Sequence, residues 1–218
     1  MDVRGCVGLA LVTAVYSLAL SVFMAGGGLL LTGRVDWAGV VMSFPVAMAV
    51  MALTYIPHAL AHIATAEDLG YEVSYRVVAS KTLVAVVFSV LMAFPLVAPG
   101  RVAVYEREPE LDDLIRQKIV QMDILLMASA GPLVNLINAT IGLTTFLMTK
   151  VELMWLFGFV NAGFAMWSLL PFMEMDGERM MHDKLRWAEM MALAVLLLIM
   201  SVIIAIKAGT GDVSAWAL

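Results

Sequence analysis

His58 and His62 lie four residues apart in the segment Tyr55-Ile56-Pro57-His58-Ala59-Leu60-Ala61-His62. On a helix, residues at that separation stand one above the other on one face, so both imidazoles point the same way. This is the spacing of a two-histidine metal chelate. It is equally the spacing of two hydrogen-bonded core histidines, and the pair alone leaves both readings open. The chain contains three histidines, and two of them share the pattern. The third, His182, falls in a charged segment and reads as an exposed loop residue rather than a further ligand.

A catalytic zinc site needs a third protein ligand and an open position for water. Asp176 is the candidate. It sits in Ser168-Leu169-Leu170-Pro171-Phe172-Met173-Glu174-Met175-Asp176-Gly177, where Pro171 and Gly177 break the helical pattern. A carboxylate on such broken backbone can turn toward a neighbouring helix. The single cysteine, Cys6, belongs to no metal or redox motif and reads as a small apolar residue.

The elements that must position these residues are set by composition. Of 218 residues, 62% are hydrophobic and 14% charged, against about 45–50% and 25% in a soluble domain. With a mean hydropathy of +0.94, an ordinary soluble fold is excluded and the chain reads as an integral membrane protein. An ionisable side chain at membrane depth is expensive and usually faces a functional cavity, which raises the standing of His58, His62 and Asp176. The net charge of -5 and the lack of a basic cluster remove nucleic acid as a partner. At about 20 residues per crossing, the length allows five or six helices and no separate soluble domain. The expectation is one membrane-embedded domain over 1–218, with its motif-bearing core at about 38–177.

Apolar stretches occupy Cys6–Leu31, Ala38–Ala66, Thr82–Ala98, Met122–Met148, Val151–Phe172 and Trp187–Ile206, with a very tight turn at Thr149-Lys150. The first, following Arg4, exceeds the core of a cleavable signal and reads as a retained helix. Between stretches, Glu72–Ala79 and Arg101–Tyr105 are rich in valine and tyrosine and read as short strands. If all six stretches cross, His62 and Asp176 end on opposite sides and cannot share an ion. A re-entrant Thr82–Ala98, turning back at Pro95, Pro99 and Gly100, repairs this. It also puts nine basic residues on the starting side, among them Arg4, Arg76, Lys81, Arg107, Arg116 and Lys118, against three on the other (Arg34, Lys150, Lys207). The positive-inside rule then places the N-terminus and the metal site toward the cytoplasm, and the C-terminus outside. The expected fold is all-α and polytopic, with about five full crossings, one re-entrant segment and a short β hairpin.

The motifs resemble those of the site-2 proteases, intramembrane zinc metalloproteases. The family's His-Glu-x-x-His helix corresponds to His58-Ala59-Leu60-Ala61-His62, and its Asn-x-x-Pro-x-Pro-x-Leu-Asp-Gly motif looks like Ser168 through Gly177. Between them, the family's Ala-Gly-Pro helix start looks like Ala130-Gly131-Pro132-Leu133-Val134-Asn135. The resemblance implies one zinc held by His58, His62 and Asp176, substrate contacts from Asn135 and Ser168, and transmembrane helices of other proteins as substrates. These must unwind to be cut, and the two short strands would offer them an edge.

The departures bear on chemistry. Ala59 stands where the family has its catalytic glutamate, Ser168 replaces the asparagine, and Met173 and Met175 replace the second proline and the leucine. General-base catalysis is worth about 10²–10⁴-fold, so the Ala59 chain is expected to be inactive or nearly so. It is either an active protease carrying a replacement or a natural member that lost the reaction. Glu67 and Glu174 are the nearby carboxylates that could substitute as base. The competing class is a non-enzymatic membrane protein: a pseudoprotease that holds helical clients, or a metal-binding or metal-transporting bundle. A transporter would spread polar residues over several crossing helices.

Overall fold

The computed structural model describes residues 3–105 and 113–208, and the side chains of 113–119 fall outside the description. Arg107, the side chains of Arg116 and Lys118, and the C-terminal end, which entered the assignment of sides, therefore lie outside the described residues. In chain order the elements are α1 (Val3–Met24), α2 (Leu29–Thr32), α3 (Trp37–Asp68), β1 (Glu72–Val77), α4 (Ala79–Met92), β2 (Gly100–Tyr105), α5 (Asp113–Thr149), α6 (Glu152–Ser168), α7 (Asp176–Met180) and α8 (Lys184–Ala208).

Among the described residues, four segments are long and apolar enough to cross a membrane: Val3–Thr32, Trp37–Asp68, Val120–Thr149 and Lys184–Ala208. The fifth expected crossing, α6, has 17 residues and spans about 25 Å, somewhat short of a ~30 Å hydrocarbon core. The first apolar stretch is not one continuous helix. Gly26 and Gly27 adopt φ of 101° and 111°, a region open to glycine and closed to a continuing right-handed helix, so α1 stops at Met24 and α2 adds a single turn.

The chain divides into two compact units. Among the described residues, the first draws on 3–56, 74–103 and 206–208, the second on 57–73, 104–105 and 113–205.

In the first unit, α4 packs against α1 and α2. Its 14 residues reach about 21 Å, too short for a crossing. The backbone N–H of Val78, just before α4, donates to the carbonyl of Pro99, just before β2, at 3.0 Å. The excursion therefore begins and ends at one point, and the strands it joins pair as a two-stranded sheet. Seven residues, Ala93–Pro99, make the return; extended chain covers about 24 Å in that number, which matches the helix. The expected hairpin and the expected turn-back at Pro95, Pro99 and Gly100 both belong to this one device. At its base Tyr75 is buried, and its hydroxyl lies 2.5 Å from that of Tyr55. Tyr55 in turn meets Tyr16 edge to face, with ring centroids 4.8 Å apart. Burial pushes the Tyr75 phenol up to about 12, the hydrogen bond with Tyr55 acting the other way.

In the second unit, α5 and α6 form the most extensive helix pair. They are joined by the tight turn that the sequence predicts, in which Lys150 takes φ 59°. Buried Leu136, Ala139, Leu143 and Phe146 recur every three or four residues along α5 and make its apolar stripe. Where α5 meets α6, glycine lets the backbones touch: a Cβ on Gly142 would stand 2.7 Å from the backbone nitrogen of Gly158. Trp155 of α6 donates its indole N–H to the carbonyl of Ser201 in α8 at 2.9 Å, tying the third helix of this unit to the pair.

Candidate metal centre

Every residue of the site belongs to the second unit. α3 passes through Pro57 as unbroken helix to Asp68, so the one-turn relationship of His58 and His62 is kept and their Nε2 atoms stand 3.1 Å apart. Asp176 arrives from the other end of the sequence. Its Oδ2 lies 3.4 Å from each Nε2. Among the described residues, these three form the group of histidine and carboxylate side chains able to share an ion. The side chains of His58 and His62 are 7% and 13% exposed and that of Asp176 20%, so what opening the site has lies toward the carboxylate.

The local sequence explains how Asp176 is delivered. α6 ends at Ser168, and the chain then doubles back so tightly that a Cβ on Gly177 would collide with the carbonyl of Leu169. That carbonyl also accepts the indole N–H of Trp187 at 2.7 Å, which pins the start of the turn. Met173 and Glu174 both take φ near 60°, costly for residues with a Cβ. The Glu174 N–H donates to the Glu178 carboxylate at 2.8 Å, across the segment that carries Asp176.

The imidazoles are held on their far sides. Nδ1 of His62 lies 2.6 Å from the carbonyl oxygen of Met127, and Nδ1 of His58 lies 3.1 Å from the amide of Asn135. Both partners are on α5. Phe164 of α6 meets the His58 ring edge to face, with centroids 5.2 Å apart. Gly131 of α5 closes the floor: a Cβ there would stand 2.7 Å from His58 Nε2 and collide with His62 Nε2. Burial raises the Asp176 carboxyl, but wherever the facing imidazoles are protonated their charge and hydrogen bonds outweigh it and hold the group well below the usual carboxylate range.

The donor set fits a small tetrahedral ion. Four ligands set about 2.0–2.1 Å from a zinc stand roughly 3.3 Å from one another, and the three edges of this triangle are 3.1, 3.4 and 3.4 Å. The chemistry agrees with the geometry. A carbonyl only accepts, so the proton of neutral His62 is fixed on Nδ1 and the Nε2 lone pair faces the carboxylate. Electron-rich atoms this close repel unless a cation or a proton lies between them.

Ala59 is buried beside the ligands, 2% exposed, and brings no polar atom. Glu67 and Glu174 are exposed and lie outside the three-residue group. His182 is exposed, in line with the reading of it as a loop residue, and Cys6 is a free, exposed thiol. Of the two residues expected to hold substrate, Asn135 is wholly buried against His58. Ser168 is buried and donates its hydroxyl to the Ala165 carbonyl at 3.1 Å. The residues that sequence reasoning did not single out are Met127, which acts through its backbone and has no sequence signal, and Phe164. Comparison of the chain with protein-family models, with curated proteins and with solved structures finds no match in any of the three.

Proposed function

We propose that this chain is an intramembrane zinc metalloprotease of the site-2 type, which in its Ala59 form holds metal and substrate but cleaves little. The observation that carries the reading is the convergence of His58, His62 and Asp176 into a triangle of zinc-like dimensions, in a chain whose longest helices suit a bilayer. The two histidines come from one helix turn, and the aspartate comes from the start of a short helix more than a hundred residues later. Surface chance does not readily assemble such a set.

In this reading α6 is a fifth crossing, α4 is re-entrant, and the site lies toward the cytoplasmic side of the cell membrane, as the basic residues favour. His58, His62 and Asp176 would hold the ion and leave one tetrahedral position open. A zinc held by these three residues would supply Lewis-acid chemistry, polarising a peptide carbonyl and lowering the pKa of water toward ~7. Moving the proton falls to the chain: Ala59 offers only a methyl, and of the carboxylates that could substitute, Glu67 and Glu174 are both exposed. The substrate class is the transmembrane helix of another membrane protein, locally unwound, with one bond presented to the site.

A second reading, a pseudoprotease that retains helical clients without cutting them, is favoured by the completeness of the loss at Ala59. Restoring glutamate separates the two. With zinc confirmed in both proteins, Ala59→Glu in detergent or liposomes is expected to raise cleavage of membrane-helix substrates by about 10²–10⁴-fold. No gain for any client tested supports the pseudoprotease instead.

A further inference from the structure

The amide of Asn135 is wholly buried one helical turn after Gly131 and approaches His58 Nδ1 at 3.1 Å. With the amide nitrogen as the approaching atom, Nδ1 has to accept. The single proton of the neutral ring then sits on Nε2, inside the triangle, and Asn135 Oδ1 is left buried with no hydrogen-bond partner. The two ends of an amide have the same shape, and which is oxygen follows from the hydrogen bonds available. Turning the amide over brings Oδ1 to Nδ1. The orphaned oxygen then accepts the Nδ1 proton, and Nε2 turns its lone pair to His62 and Asp176. His62 has this arrangement already, because the Met127 carbonyl at its Nδ1 can only accept.

We propose that Asn135 is a positioning residue: through Oδ1 it fixes His58 in the Nδ1–H tautomer and so makes Nε2 a metal ligand. The proposal rests on the metal-binding reading above, and it takes Asn135 away from the substrate contact that the sequence resemblance implies. In α5 the wholly buried amide of Asn135 stands where a histidine 77 residues away needs an acceptor. Groups of this kind, which orient a ligand from behind, typically govern metal affinity by 10–100-fold.

The test uses the full chain in detergent, titrated with Co²⁺ and with Zn²⁺ against a chelator, for the parent, Asn135→Leu, Asn135→Ala and Asn135→Asp. Leu and Ala remove the acceptor and are expected to weaken binding by about 10–100-fold. Asp retains an acceptor and is expected to stay within a few-fold of the parent. Should Leu disturb the helix pair, Ala gives the same answer without added bulk. The tautomer is read separately, by ¹⁵N NMR of histidine-labelled, metal-free protein: His58 is expected as Nδ1–H in the parent and Asp variant and to lose that state in the Leu and Ala variants. Parent-like affinity in Leu and Ala, or an Asp variant as weak as they are, overturns the proposal while leaving the metal site standing. A parent that binds no metal overturns the metal reading and this inference with it.

Discussion

The carbonyl oxygen of Met127 stands 2.6 Å from Nδ1 of His62, and this contact determines which nitrogen of the ring is offered to the interior. Because the carbonyl only accepts, Nε2 is left with its lone pair toward Asp176 Oδ2 at 3.4 Å. The site thus sets an anion beside the His62 lone pair in a buried place, an arrangement that a divalent ion would complete in the proposed reading. Elemental analysis of the purified protein is expected to give close to one zinc per chain. His58→Ala, His62→Ala and Asp176→Ala should each abolish stoichiometric binding, and a chelator should lower Tm in the parent far more than in these variants. Zinc well below one equivalent after loading counts against the centre.

Gly131 tests the same geometry from below. A methyl at this position would press on both imidazoles, and α5 is tied to α3 here by Met127 and Asn135, so it has little room to retreat. Overpacking of this kind costs about 1–3 kcal/mol. Gly163 on α6 provides the matched control, since a Cβ there would meet only Leu198 Cδ1 at 3.9 Å, ordinary contact. Gly131→Ala is expected to lower Tm and to weaken zinc binding at least tenfold, whereas Gly163→Ala should be neutral or stabilising by up to about 1 kcal/mol through helix propensity. Equal zinc affinity in the two variants would show that Gly131 is not packed against the ligands.

How much of this was legible depends on how far apart the interacting residues lie. His58 and His62 were readable because helical periodicity alone puts them on one face. Asp176 was readable because Pro171 and Gly177 mark broken backbone beside it. The turn-back after α4 showed itself in Pro95, Pro99 and Gly100, and in the mismatch of sides that full crossings would create. The break after Met24 carried a signal too, the run Gly26-Gly27-Gly28, but apolar composition hid it: glycine counts as membrane-compatible although its backbone freedom ended the helix. The contacts of Asn135 and Met127 had no local signal. They depend on how α5 lies against the second half of α3, and Met127 contributes a carbonyl that any residue would supply.

Tyr75 gives the structure an alkaline limit with a definite sign. Its phenol is raised from 10.0 to about 12 by burial. Between those values the folded chain keeps a proton that the unfolded chain has released, so the contribution is fully present below pH ~10 and is lost as pH rises toward 12, with a limiting slope of about 1.4 kcal/mol per pH unit. Thermal unfolding of the parent in detergent from pH 9 to 11.5 is expected to show this decline. Tyr75→Phe should be less stable at neutral pH, through the lost contact with Tyr55, and should lack that part of the slope. A Phe variant that falls as steeply as the parent places the titrating group elsewhere.

The Val78–Pro99 hydrogen bond at 3.0 Å predicts which residues share a side of the membrane. Arg76 on β1 and Arg101 on β2 are both exposed, and each lies two residues outside that bond. If Ala79–Pro99 leaves and returns at one point, Arg76 and Arg101 face the same compartment; were the segment a crossing, they would face opposite ones. Cys6 is the sole cysteine, so a Cys6→Ser background makes single-cysteine labelling clean. Arg76→Cys and Arg101→Cys, treated with a membrane-impermeant maleimide, are expected to react together in inverted vesicles and to be protected together in right-side-out ones. The basic residues give the direction, since the two strands that carry these arginines lie on the side expected to be cytoplasmic. Reaction of the two from opposite faces would make α4 part of a crossing. It would also undo the parity that lets His62 and Asp176 meet at one depth, so the labelling result bears on the metal centre as directly as it does on the hairpin.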